Sequence, residues 1–436
     1  MPDIFERFFY RFNKSVSDYY HLKRLDPSYR IYWADEHLNV PADYNKLKQV
    51  FDEIEYGASV KLDAFIKEAA YKYEVGMHKL VYKPGQSLTE FLNKDVLLGI
   101  TKLDVFTSIR KHIAKYFTHP KLKELLEFPV LFLGALPQQT PALYSLMNYA
   151  DIVGGTWYPE SGMYSIVDAM YSLAKELNVV FNFNETVTEI VIDKNIAKKV
   201  LSVNEAGEEK VYDTDVVIGA ADYHHIESSL LPDHSRTYNN SYWDKRVMAP
   251  GCIIFYVGLD KRLENITHHT LFFDTSFEQH GREIYITKQW PQAPLFYVSA
   301  TSVTDKTVAP VGCENLFILI PVAAGLSGDT EALREQYFDM VMQRMEQHFK
   351  QPVANAVTYK RSFAYTDFVG EYNAFKGNAY GLANTLKQTA IFKPSCRSKK
   401  VKNLFYTGQL TVPGPGVPPS LISGEVVAKE AIKAFG

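Results

Sequence analysis

Apolar positions in this chain change period several times, and each change predicts an element. Ile4, Phe5, Phe8, Phe9 and Phe12 recur at helical spacing behind Pro2 and a capping Asp3, which predicts a helix over residues 1–20. RIYWADEHLNVP (30–41) alternates as a strand does, and YNKLKQVFDEI (44–54) and SVKLDAFIKEAAYKYEVGMHKL (59–80) read as helices. Over 95–117, Leu97, Ile100, Leu103, Phe106, Ile109, Ile113 and Tyr116 fall every three or four positions, with Lys102, Arg110, Lys111 and Lys115 beside them. That layout suits a helix lying on an anionic membrane surface, and equally a core helix with one solvated side. Residues 126–150 are apolar but broken by prolines.

From residue 150 a glycine- and aromatic-rich loop leads into a helix ending near Leu177, and strands are expected over 178–203 and 208–218. Val216, Val217 and Ile218 form a short apolar run ending in Gly-Ala-Ala-Asp, the pattern of a buried strand whose C-terminal end opens at a ligand. Further strands are expected at 250–260, 282–290, 294–302 and 315–324, with a helix over 329–349. The last pattern is a strand at 402–408 and a helix at 419–435. Between them runs a loop in which Gly408, Gly414 and Gly416 alternate with prolines. Glycine frees the backbone and proline stiffens it, so the loop brings side-chain-poor main chain to a helix start. Free N–H groups and the helix dipole there favour an anion or an electron-rich ring edge; a purely structural turn fits the same residues.

Composition narrows the classes. A chain of 436 residues, 46% hydrophobic, has enough apolar material for several domains' worth of core, and 29 Tyr with 27 Phe suggest large cores or a broad apolar site. A net charge of −3 and the lack of zinc-finger, RNP or basic-arm patterns argue against nucleic acid as a partner. Three scattered cysteines indicate neither disulfides nor a CxxC site, which points to a reducing compartment. With no apolar run of membrane-spanning length and no signal-peptide layout, a cytoplasmic location is expected. His224-His225 and His268-His269 lack a third ligand at metal spacing, so no metal is expected. There is no HExxH, GxSxG or Walker A loop, and Ser327 sits in no nucleophile elbow, which disfavours hydrolases.

Several separated segments, YRIYW (29–33), GTWYPESGM (155–163), VVIGAADYHH (216–225), HHTLFF (268–273), 303–322, 367–394 and NLFYTGQLTVPGPGVPP (403–419), resemble the bacterial-type phytoene desaturases, in that family's order. The resemblance implies FAD as cofactor, a hydrophobic polyene such as phytoene as substrate, desaturation in carotenoid biosynthesis, and peripheral attachment to a membrane surface. It implies an α/β fold with three parts. An interleaved, Rossmann-like FAD-binding domain takes 1–20, 150–235 and 396–436; a mixed-sheet substrate domain takes 21–94 and 236–395; a helical membrane-facing part takes 95–149. Gly408, Gln409, Gly414, Gly416, Val417 and Pro418 match the flavin and ribityl loop, Val187 an adenine-side backbone contact, and Ala220, Ala221 and Asp222 the closing wall of the same side. Glu90, in SLTEFL, takes a position considered for acid-base assistance, although Asn93 replaces a basic residue common there, and a solvated helix-start carboxylate is the alternative.

The chain contains no GxGxxG, so the first βαβ unit of the family's FAD sheet is missing and weak or absent FAD binding is expected. A carotenoid isomerase, a terminal-methyl oxidase and a non-catalytic lipid-binding remnant are alternative readings. Oligomeric state is left open.

Overall fold

The computed structural model describes residues 1–87, 90, 103, 104, 106–385 and 387–436. Its largest sheet runs Val357–Phe363, Gly251–Leu259, Glu314–Val322, Phe296–Ser299, His269–Phe272, Tyr29–Tyr32 and His37–Val40. Every neighbouring pair is antiparallel except His269–Phe272 with Tyr29–Tyr32, which run parallel with Thr270 opposite Arg30. Alternation sends successive side chains to opposite faces, and both faces are covered. Ile253, Phe255, Val257, Ile318 and Ile320 pack on Tyr337, Phe338, Val341 and Met345 of the helix Glu331–Phe349. On the other face Ile31, Leu271, Phe273 and Leu295 belong to a second core with Phe51, Phe65, Ile109, Ile113 and Phe117. Each fully buried phenylalanine there contributes about 2–3 kcal/mol of transfer free energy.

A second, smaller layer is a parallel pair, Leu404–Tyr406 with Val217–Gly219. Beside it lies an antiparallel meander, Glu185–Asp193, Ile196–Asn204 and Glu209–Asp213. Lys194 and Asn195, with φ of 48° and 63°, make the two-residue turn that a tight hairpin requires. Asn403 stitches the layers: its side chain accepts the Ala197 N–H (2.8 Å) and donates to the carbonyls of Ala197 (2.8 Å) and Asp215 (2.7 Å). The N-terminal helix stops at Tyr10 rather than running to residue 20, since the chain turns at Asn13 with φ of 56°; this helix, Pro2–Tyr10, meets the C-terminal helix Val417–Phe435, where Arg11 Nε donates to Glu425 at 2.9 Å.

Five further expectations change. The run 30–41 is a hairpin rather than one strand: the short turn at Ala34, Asp35 and Glu36 reverses the chain, and both arms keep the alternation. The run 282–290 is not a strand. Ser276 caps the helix Phe277–Arg282 and helical backbone continues to Thr287, because Phe277, Gly281 and Ile284 meet one apolar cavity only at helical spacing. Strand 185–193 begins seven residues later than expected, and Val180 and Phe183, 81% and 66% exposed, lie outside any ladder. The helix expected over 95–117 has its start, with Leu97, Ile100 and Lys102, outside the described residues. In its described half Ser108 starts a new helix, Ile109–Ala114, whose Ile109 and Ile113 are fully buried. Lastly, Ile218 is half-exposed, so 216–218 is not a strand buried on both faces. Among the described residues no helix is long and apolar enough to cross a membrane.

Candidate active site

The two parallel strands end on the same side. Gly219 leads into Ala220, Ala221 and Asp222, and Tyr406 into Thr407, Gly408 and Gln409; all six line one open cleft of about 1210 Å³. Main chain rather than charge dominates this wall, since small residues follow both strands. The Asp222 carboxylate accepts the N–H groups of His225 (3.1 Å) and Phe375 (3.0 Å), which ties the strand end to the opposite rim. Burial raises its pKa. Across the cleft Gln409 Nε2 donates to Asn378 Oδ1 (3.2 Å), which also accepts the Gly381 N–H (2.6 Å). Gly381 has φ +86°, and a Cβ there would lie 2.5 Å from the Gln409 carbonyl oxygen, so only glycine permits this closure.

The glycine-proline loop then crosses to the C-terminal helix. Ser423, one turn and more inside that helix, accepts the Gly408 N–H (3.1 Å) and lies 3.1 Å from the Thr407 hydroxyl. A Cβ on Gly408 would meet nothing, leaving its face open to the cleft. Val417 begins the helix and is 60% exposed. The cradle of free N–H groups expected there is reduced: Pro418 and Pro419 carry none and the Ser420 N–H is bonded to Gly416 (2.9 Å), so Gly416 and Val417 supply the remaining donors. Gly414 and Gly416, at φ +133° and +110°, continue the loop beyond the cleft lining. Val187, on the meander and 37% exposed, also lies outside that lining.

Glu90 holds a turn. Its two oxygens accept the N–H groups of Gly85 (2.9 Å), Gln86 (2.9 Å) and Ser87 (3.0 Å). That turn abuts the glycine-proline loop, since a Cβ on Gly85 would be 3.0 Å from Val412 Cγ1.

A second chamber was not foreseen. A narrow apolar cavity lies between the sheet residues Leu271, Phe296, Tyr297 and Leu319 and the helix bearing Phe277, Gly281 and Ile284. The only prior sign was the aromatic excess. His280 on its wall donates Nε2–H to the Pro321 carbonyl (2.9 Å) and accepts the Leu295 N–H at Nδ1 (3.0 Å). Burial pushes its pKa down to about 4, so it is neutral and both nitrogens are engaged. One short segment borders both chambers, for Asn378 and Ala379 line the cleft and Tyr380 the cavity.

A cleft at the C-terminal ends of two parallel strands, with small residues following both strands along one wall, is where open α/β sheets bind ligands, and an apolar chamber on the mixed sheet lies beside it. Solved structures share the fold. An oxidoreductase from Methanosarcina mazei aligns with a TM-score of 0.58 at 13% identity over 98% of this chain and 85% of its own. Cyclohexylamine oxidase from Brevibacterium oxydans aligns at 0.51 and 12% identity over 95% and 83%. The flavin containing amine oxidoreductase model matches residues 8–432, and the chain belongs to that family. It is similar to a carotenoid 3,4-desaturase of Haloarcula japonica, 38% identical over 435 residues, 99% of this chain and 87% of that one. A zeta-carotene-forming phytoene desaturase of Myxococcus xanthus is 27% identical over 435 residues, 98% and 82% of the two chains. The resemblance seen in the sequence is therefore borne out, and the protein is an FAD-dependent oxidoreductase.

The residues present fit a flavin at the cleft. Gly408 opens its face to the cleft, and further along the same loop, outside the cleft lining, two buried polar atoms beside Gly414, Lys393 Nζ and Asn384 Oδ1, have no hydrogen-bond partner among the described residues.

Proposed function

We propose that this protein desaturates a long polyene of the carotenoid type, with FAD held along the cleft and the polyene in the apolar cavity. The observation that carries this reading is the Asn378–Tyr380 segment, which borders both chambers and so brings a cofactor and an apolar chain to one wall. Bound flavin supplies a two-electron acceptor for hydride. The chain's own residues do the rest. Ala220, Ala221, Asp222, Gly408 and Gln409 would line the cofactor, Gly414, Gly416, Val417 and Pro418 would complete the loop against it, and Val187 would contact its adenine side.

Leu271, Phe273, Phe277 and Phe296 keep water from the reacting carbons and hold the polyene extended. Neutral His280 offers no free nitrogen for proton removal. Positioning and exclusion of water therefore carry more of the rate than an acid-base residue. Glu90 fits a positioning role, because its carboxylate is engaged by three main-chain donors.

The three-part division of the chain into FAD-binding, substrate and helical portions is retained within this proposal. Delivery from a membrane surface follows from the substrate's insolubility. A cleft lined by apolar Leu136, Phe277 and Ile286, with Arg282, Glu278 and the Glu127-paired Arg110 beside them, shares Phe277 with the cavity and sets apolar groups next to Arg282 toward a lipid surface.

The test is to incubate the protein with FAD and polyenes in vesicles of neutral or anionic phospholipid. Loss of two hydrogens per new double bond, with a red-shifted spectrum, supports desaturation. Unchanged mass with altered geometry would mean isomerisation, gained oxygen a terminal-methyl oxidase, and retained but unaltered polyene a lipid-binding role. Cosedimentation that depends on anionic lipid tests the surface.

A further inference from the structure

Lys393 is 4% exposed, yet its ammonium has no hydrogen-bond partner among the described residues, and the same is true of Asn384 Oδ1, also 4% exposed. Most buried polar groups are paired, so two orphans facing one point ask for a partner beyond the described residues. They converge: a Cβ built on Gly414 would lie 2.9 Å from Lys393 Nζ and 3.1 Å from Asn384 Oδ1. Both sit on braced backbone. Pro394 O accepts the Thr411 hydroxyl (2.7 Å), which binds the Lys393 segment to the glycine-proline loop. Asn384 follows Ala383, whose N–H donates to the Val247 carbonyl (3.0 Å).

Resting on the flavin reading above, we propose that Lys393 and Asn384 are a positioning pair for the cofactor. The ammonium donates to a carbonyl oxygen of the flavin ring, the carboxamide oxygen accepts the ring imide N–H, and the cation favours the ring once it carries hydride electrons. A donor beside an acceptor is what the imide edge of an isoalloxazine demands, and a preorganised cation stabilises charge that appears only on reduction. Burial alone lowers the Lys393 pKa to about 7, so an acceptor or a negative charge arriving beside it decides whether it is protonated.

The experiment compares wild-type protein with Lys393→Met and Lys393→Arg, measuring FAD dissociation, the midpoint potential of the bound flavin and the melting temperature without cofactor. Lys393→Met should bind FAD at least tenfold more weakly and lower the potential, by about 30 mV for each tenfold loss of preference for the reduced ring. Without FAD it should melt no lower than wild type, since it removes an unpaired buried amine, and Lys393→Arg should recover part of both losses. Unchanged affinity and potential in Lys393→Met, as expected if the amine meets only water, would overturn the proposal. So would a fall in melting temperature without FAD that accounts for the lost affinity. Wild-type protein that takes up no FAD would overturn the cleft reading together with this inference.

Discussion

Replacing Glu90 by glutamine tests whether that residue is chemical or architectural. One carboxylate oxygen takes the Gln86 and Ser87 N–H groups and the other takes that of Gly85. A glutamine can present its carbonyl to the first pair, but its NH₂ then faces the Gly85 N–H, donor against donor. One hydrogen bond to a charged acceptor is lost, which costs about 1.5–3 kcal/mol. At about 2.1 cal/mol/K per residue, a cooperative unit of 436 residues would move its melting point by only about 2–3 °C. Local opening is the sharper observable. Hydrogen exchange at Gly85–Ser87 should accelerate roughly ten- to hundredfold, in line with about 1.4 kcal/mol per decade. Turnover should fall less than about tenfold, because the turn only braces Val412 of the glycine-proline loop, whereas a general acid or base is worth roughly a hundred- to ten-thousandfold. A loss of turnover beyond a hundredfold, with exchange unchanged, refutes the bracing role and returns Glu90 to the chemistry.

Gly414→Ala should weaken FAD binding by tenfold or more in a fluorescence titration, because φ +133° excludes a side chain and the Cβ would press on Lys393 Nζ. Gly207→Ala, at φ +80° in an open turn, should leave binding intact while costing about 1 kcal/mol. His280 is held neutral, with a folded pKa near 4 against about 6.5 unfolded. The unfolded chain therefore binds the extra proton first, and about 3 kcal/mol of stability, present above pH 6.5, is lost as pH falls toward 4. Denaturant titrations across that range should show the loss in wild type, with a smaller pH dependence in His280→Asn. Arg110→Met strands Glu127, whose side chain is 5% exposed and receives a bidentate pair at 2.9–3.2 Å. With Arg110 itself a third exposed, the cost should be about 2 kcal/mol by urea unfolding, and the double variant with Glu127→Met should regain much of it.

How far the sequence could be read depended on whether the controlling forces are local. The strand at 404–406, the glycine-proline loop and the helix at 417–435 were legible, because backbone dihedrals there are set by the residues themselves. So was the helix 331–349, whose apolar period is long. The run 282–290 misled because Ile284 and Ile286 alternate like a strand, and only the cavity beside Phe277 and Gly281 favours the helical placement. Residues 178–183 carry a strand's composition without a neighbour to pair with, and pairing is not a property of one segment.

By itself, then, the sequence determined the alternation of α and β elements, the glycine-proline turn after the last strand, and the family. Tertiary structure alone decided that Gly219 and Tyr406 end side by side, that Asn378–Tyr380 divides cleft from cavity, and that Lys393 and Asn384 lie buried with no partner among the described residues. Dihedral preference and periodicity act over a few residues, whereas burial and strand pairing are set by chain far away in the sequence, as between Gly219 and Tyr406.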